Sequence, residues 1–112
     1  MSVERWSDHI VIAELQDDPA FTDDLVTLLD QLESQNDVSV VLRFSGVNYV
    51  NSSNIAKLLK LRKKLLLSKH RLVLCEIDTK VWGLFLVTGL DKVFEFADDL
   101  GTALASIQLP IA

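Results

Sequence analysis

Val40-Val41-Leu42-Arg43-Phe44-Ser45-Gly46-Val47-Asn48-Tyr49-Val50-Asn51-Ser52-Ser53-Asn54-Ile55 passes from an apolar, β-branched run through a short polar loop to a pair of serines. The run has the composition of a buried strand, and the serines stand where a helix begins. A hydroxyl at that place has two uses. As a cap it accepts a hydrogen bond from a free N–H of the first helical turn. As a switch, its phosphorylated form meets several such N–H groups and the positive end of the helix dipole. The same serine pair can serve both, and one of the two is expected to cap the helix, a contribution of about 1 kcal/mol.

Working outward, strand and helix signals alternate. Ile10 to Leu15 and Leu72 to Ile77 are two more short apolar runs bounded by polar or turn residues, and with Val38 to Phe44 they form the expected strands. Between the first two, Phe21, Leu25, Leu28, Leu29 and Leu32 recur at helical spacing, with a start at Thr22 or just before it and a stop over Ser34 to Asp37. A second helix is predicted from about Ser53 to Ser68, with Ile55, Leu58, Leu59, Leu61, Leu65 and Leu66 on an apolar face and lysines on the other. A third spans about Thr79 to Thr88, closed by Gly89 where a left-handed residue is usual. Val93-Phe94-Glu95-Phe96 then alternates like a strand, and Asp98 or Asp99 is placed to cap a last helix through Ala103, Leu104 and Ile107. Strands separated by single helices predict a small α/β domain with a mixed, mostly parallel central sheet and about four helices. The central strands, mostly apolar, fit burial on both faces.

Composition agrees with one such domain over residues 1–112. A chain of 112 residues with 49% hydrophobic content carries one packed core. The net charge of -5 argues against direct nucleic-acid binding, which demands positive surface. Seven of the eleven basic residues, Lys57, Lys60, Arg62, Lys63, Lys64, Lys69 and Arg71, fall in one segment, which reads as the solvated face of the second helix. The N-terminal stretch Met1-Ser2-Val3-Glu4-Arg5-Trp6-Ser7-Asp8-His9 lacks the apolar run of a signal peptide, and Val81 to Val87 falls short of the roughly 20 residues that span a bilayer. With Cys75 as the single cysteine, no intrachain disulfide forms. A soluble cytoplasmic protein without membrane insertion is expected.

The order of elements resembles the STAS domain, the fold of bacterial anti-sigma factor antagonists. Leu42 to Asn54 is similar to the family's strand, turn and Asp-Ser-Ser/Thr-Gly signature, with Asn51 standing where the family has aspartate and Asn54 where it has glycine. Val87-Thr88-Gly89-Leu90-Asp91-Lys92-Val93-Phe94 is similar to its Ser/Thr-Gly-Leu segment, whereas Gln16-Asp17-Asp18-Pro19-Ala20 lacks the Gly-Glu-Leu/Ile-Asp motif usual there. The resemblance implies that Ser52 is the phosphoacceptor, with Ser53 the second candidate. It implies a partner that is both a serine kinase and an anti-sigma factor, or a divergent homologue, contacting Asn51, Ser52, Ser53 and Asn54. In that family the unmodified antagonist binds the kinase and phosphorylation dissociates the pair. Asn51 and Asn54 would shape the turn, and Asn54 would obstruct or contact a kinase.

Other constellations have simpler readings. Asp17, Asp18, Asp23 and Asp24 lack an EF-hand pattern and sit where a turn and a helix start want carboxylates, so no metal is expected. His9 and His70 are isolated at element edges and read as solvent-facing. Asn51-Ser52-Ser53-Asn54 supplies no nucleophile elbow, so neither catalysis nor a cofactor is expected. Trp6, Trp82, Tyr49 and Phe85 read as core or edge packing. Two further functions stay open: a phosphorylation-independent STAS interaction module of a transporter or signalling complex, and a binder of a nucleotide or anion at the helix start.

Overall fold

The computed structural model describes residues 2–108; Met1 and residues 109–112, assigned above to the same domain, lie outside them. The strands are β1 (Ser2–Ser7), β2 (Ile10–Gln16), β3 (Ser39–Gly46), β4 (Leu72–Cys75) and β5 (Glu95–Ala97). The helices are α1 (Ala20–Ser34), α2 (Ser52–Leu67), α3 (Thr79–Val87) and α4 (Leu100–Gln108), with a 3₁₀ turn at Leu90–Lys92. The strands lie in sequence order. β1 runs antiparallel to β2, and β2 to β5 are mutually parallel. The mixed, mostly parallel sheet and the four helices are as the alternation of signals predicts.

Side-chain alternation along the strands assigns the two layers. Val11, Ala13 and Leu15 of β2, Val40, Leu42 and Phe44 of β3, and Leu72 and Leu74 of β4 point to one face. There they meet Phe21, Leu25, Leu28 and Leu32 of α1, Leu58, Leu61 and Leu65 of α2, and Val81 and Phe85 of α3. The intervening residues, Ile10, Ile12, Val41, Val73 and Cys75, point to the other face and are covered by Ala103, Leu100, Leu104 and Ile107 of α4. Each fully buried Leu, Val or Phe contributes about 1.5–3 kcal/mol relative to an exposed one. Burial pushes the Cys75 thiol up to about 11, so it stays a neutral core residue.

The ends of the elements follow local chemistry. α2 closes in a Schellman turn: the N–H of His70 bonds to the Leu65 carbonyl at 2.8 Å and that of Lys69 to Leu66 at 3.0 Å. Gly89 follows α3 at φ 76°, the left-handed residue predicted there. Asp99 caps α4, its carboxylate accepting from the Thr102 N–H at 2.8 Å. β4 stops at Cys75 rather than Ile77 because Glu76 turns to φ 60°. Val93 and Phe94 are not strand residues; they pack against the core from the turn before β5. β1 was not expected, since Val3 and Trp6 are its sole apolar residues and both are exposed.

A candidate regulatory turn at the start of α2

In a parallel sheet, the loops that leave the carboxyl ends of the strands gather at one end of the molecule. Here the β2–α1 loop, with Asp17 and Asp18, meets the β3–α2 loop, with Asn48 to Asn51. The approach is close at Gly46, where a Cβ would stand 3.0 Å from the Leu15 carbonyl oxygen. Val47 and Val50 are buried and fasten the second loop to the core, leaving Asn48 and Tyr49 exposed between them. Asp17 holds that exposed stretch: its carboxylate accepts from the Asn48 N–H at 2.7 Å and the Asn48 side-chain amide at 2.9 Å. These bonds hold the Asp17 carboxyl below its ordinary range.

Asn51, not a serine, is the N-cap of α2. Its side-chain oxygen accepts from the Asn54 N–H at 2.8 Å, and the Asn54 side-chain oxygen accepts from the Asn51 N–H at 3.1 Å. This is a reciprocal capping box with asparagine at both positions. Both amide groups then donate to one oxygen of Asp18, Asn54 at 3.0 Å and Asn51 at 3.1 Å. The other Asp18 oxygen accepts from the Thr22 hydroxyl at 2.7 Å and the Thr22 N–H at 2.9 Å. The departures from the family signature therefore form a matched set. An aspartate at position 51 would lose the amide donor and face the Asp18 carboxylate. The side chain of Asn54 is buried rather than offered to a partner, with 1% of the residue exposed.

Asp18 is consequently an acid whose ionised form the fold prefers. Bonds from the Thr22 hydroxyl first, then from Asn54, bring its pKa down to about 2. A depressed folded-state pKa stabilises the fold above the ordinary carboxylate range, and that contribution is lost as pH falls through about 2. The stability difference between the parent and Asp18→Asn should therefore be full near neutrality and shrink across the acid limb of a urea-denaturation series. A difference that stays constant through that limb would show that the Asp18 charge is not coupled to folding.

With Asn51 as cap, Ser52 and Ser53 occupy the first two helical positions, both exposed. The Ser53 hydroxyl accepts from Lys57 Nζ at 3.1 Å. The Ser52 hydroxyl has no hydrogen-bond partner among the described residues. From Ser52 an exposed stripe runs down α2 through Ala56, Leu59, Lys63 and Leu66, successive positions of one helix face. Five basic residues and no acidic one lie on this helix. Lys64 is tied to Glu33 of α1 at 2.6 Å, which holds the Glu33 carboxyl below its ordinary range. Arg71, beyond the helix, is spent on Glu95 at 2.9 Å and on the Ser106 carbonyl at 2.6 Å.

The remaining candidates fall elsewhere. The oxygens of Asp17 and Asp18 are occupied by N–H and O–H donors, while Asp23 is exposed and Asp24 buried on α1. His9 and His70 are not isolated: both face Asp37, His70 Nε2 at 3.1 Å and His9 Nδ1 at 3.4 Å, at the end of the sheet opposite Ser52. His70 is half-buried, which corrects its solvent-facing reading. Phe85 is core and Trp82 half-buried, but Trp6 and Tyr49 are exposed, at 42% and 52%. A bidentate pair between Arg43 and Glu76, at 2.6 and 2.9 Å, joins β3 to the turn after β4 and had no sequence signal. Among the described residues no helix is long and apolar enough to cross a membrane.

Comparison with known proteins gives the same architecture. No curated protein matches the sequence. Among solved structures, TM1081 of Thermotoga maritima, a candidate anti-sigma factor antagonist, aligns at 18% identity and TM-score 0.83, covering 96% of this chain and 94% of that one. The anti-sigma factor antagonist SpoIIAA in its unphosphorylated form aligns at 15% identity and TM-score 0.80, covering 99% and 98%. The Bacillus cell fate determinant SpoIIAA in its phosphorylated form aligns at 18% identity and TM-score 0.69, covering 96% and 98%. The model of the STAS domain matches residues 6–103. The match spans the sheet from the end of β1 through β5, includes the Asn51–Asn54 turn and reaches into α4, so the chain belongs to the STAS domain family.

Proposed function

We propose that this protein is an anti-sigma factor antagonist-like regulator that binds a serine-kinase anti-sigma factor, or a divergent homologue, and is switched off by phosphorylation of Ser52. The observation that carries the reading is the Ser52 hydroxyl: exposed, unbonded among the described residues, and held at the first position of α2 by a closed network beneath it. Ser53, engaged by Lys57, is the poorer acceptor. In the transfer, the Ser52 oxygen bonds to the γ-phosphorus of a nucleoside triphosphate held by the kinase. The bond to the nucleoside diphosphate breaks, and the hydroxyl proton passes to a base of the kinase. The antagonist itself performs no chemistry, and its role is regulatory within the cytoplasm.

The stripe headed by Ser52 supports the rest of the cycle. A partner seated on Leu59 and Leu66 would lie against Ser52 as well, so a phosphate there places about two negative charges and their desolvation cost inside the contact. Asn51, Ser52 and Ser53 are the accessible part of the signature, and Asn54 acts by shaping the turn. A second reading, a phosphorylation-independent module of a transporter or signalling complex, is favoured by one feature. The Asp18 carboxylate already sits beside the helix start and takes part of the role a phosphate would have there.

Affinity capture of the tagged protein from its host, with mass spectrometry of the partners and of the bait peptide, tests the proposal. A serine-kinase-like partner and phosphate on Ser52 are expected. Ser52→Ala, at an exposed site without a cap bond, should change stability by less than about 0.5 kcal/mol and abolish phosphate incorporation. Labelled phosphate on the alanine variant would remove the assignment, and a transporter or scaffold captured with unmodified bait would establish the second reading.

A further inference from the structure

A concavity opens where the turns after β4 and β5 meet the start of α3. It is a cleft of about 260 Å³ lined by Ile77, Thr79, Trp82, Phe96, Ala97 and Asp98. Drug-sized ligands occupy roughly 300–1,000 Å³, so this cleft suits a smaller molecule. Its two aromatic walls come from different elements. Trp82 of α3 and Phe96 of β5 have ring centroids 4.9 Å apart and planes at 83°, which makes a corner of two ring surfaces. Phe96 also packs edge-to-face with Phe85 at 5.4 Å and Phe94 at 6.4 Å, so the corner is anchored to the core.

The polar lining has one sign. Four acidic residues lie in the two turns that border the cleft, and three are committed. Glu76 pairs with Arg43, Asp78 caps α3 through the Lys80 N–H at 2.6 Å, and Asp99 caps α4. Asp98 is different: its backbone carbonyl accepts from the Glu76 N–H at 3.2 Å, but its carboxylate has no hydrogen bond or ion pair among the described residues. No basic residue is among the lining. Aromatic faces carry negative electrostatic potential, and a free carboxylate beside them adds a full negative charge. An anion would meet repulsion there, and a strongly hydrated small cation would lose water to rings that cannot replace it. A cation with an apolar skin satisfies both surfaces.

We propose that this cleft binds a small organic cation, a methylated or quaternary ammonium group seated in the corner of Trp82 and Phe96 against the Asp98 carboxylate. The site is separate from Ser52 and does not depend on phosphorylation.

The test uses the full chain, with choline and tetramethylammonium as probes and 3,3-dimethylbutan-1-ol as the uncharged isostere of choline. Sodium chloride holds ionic strength constant. Binding is followed by NMR on the Trp82 indole N–H, which separates it from Trp6. Saturable shifts with both ammonium probes are expected, with the neutral isostere about tenfold weaker. Asp98→Asn, which disturbs no bond of its side chain, should weaken choline by a similar factor. Trp82→Leu should abolish the saturable shifts of the neighbouring backbone amides. Equal binding of the neutral isostere, an unchanged affinity in Asp98→Asn, or no saturable shift at tens of millimolar probe would each overturn the proposal.

Discussion

Phe44→Ala should lower the stability of this domain by about 3–5 kcal/mol, the range for deleting a fully buried aromatic side chain. Phe44 has no exposed surface and stands at the end of β3, where the helical layer converges. Its ring meets Phe21 of α1 edge-to-face at 6.0 Å and Phe85 of α3 at 6.4 Å. Phe85 in turn meets Phe94 and Phe96, so one chain of rings joins two helices to β5 and the turn before it. Removing the middle ring opens a cavity that its rigid neighbours refill poorly, and it also forfeits edge-to-face pairings worth about 0.5–1.5 kcal/mol each. Domains of this size have about 5–15 kcal/mol in total, so much of the native population should be lost on mild warming. Urea denaturation, with the exposed Trp6→Ala as reference, measures the effect. A loss below about 1.5 kcal/mol would mean that the site collapses around the gap and that the ring chain is not the spine of the helical layer.

The parts of this fold that were legible are those in which one residue's environment follows from its near neighbours. The β-branched run from Val38 announces a strand because five of its seven residues to Phe44 are apolar, and the two-residue period then separates the face of Val40 and Leu42 from that of Val41. Gly89 is legible for the same reason: a glycine after an apolar helical run supplies the left-handed turn by itself. β1 is not legible, because an edge strand paired on one side needs little apolar surface, and Val3 and Trp6 do not alternate. Val93 and Phe94 misled because burial in a turn and burial in a strand leave the same pattern.

The site divides along the same line. Placing Ser52 at the head of a helix needed only local signals. Identifying Asn51 as the cap needed its partner three residues on, and asparagine at both ends disguises a box usually written with serine or threonine and glutamate. The contribution of Asp17 and Asp18 was beyond reach, since their bonds to the turn cross 31 to 36 residues. Parallel register, not sequence spacing, brings Gln16 level with Gly46 and so sets those carboxylates under the start of α2.

The second large effect is expected from Asn54→Asp, which preserves shape and changes one atom's chemistry. The Asn54 side-chain oxygen can still accept from the Asn51 N–H, but the amide nitrogen that donates to Asp18 at 3.0 Å and to the Thr22 hydroxyl at 3.3 Å becomes an oxygen. Near neutral pH a buried carboxylate would then face a carboxylate that the fold holds ionised. Leaving a buried charge uncompensated costs about 3–5 kcal/mol. Burial and the Asp18 charge both raise the pKa of the introduced carboxyl, so its penalty is absent below the unfolded-state value and complete above the raised folded-state one. Urea denaturation near pH 7 and near pH 4 should show the loss at the higher value and recovery at the lower. Adding Asp18→Asn to the same chain restores a carboxylate facing an amide and should recover part of the loss, a coupling that a double-mutant cycle reads directly. If Asn54→Asp matches the parent at neutral pH, the Asn54–Asp18 contact does not hold the turn. If the variant unfolds as described yet Ser52 takes phosphate at the parent rate under stabilising conditions, the network secures the fold and the kinase reads Ser52 without it.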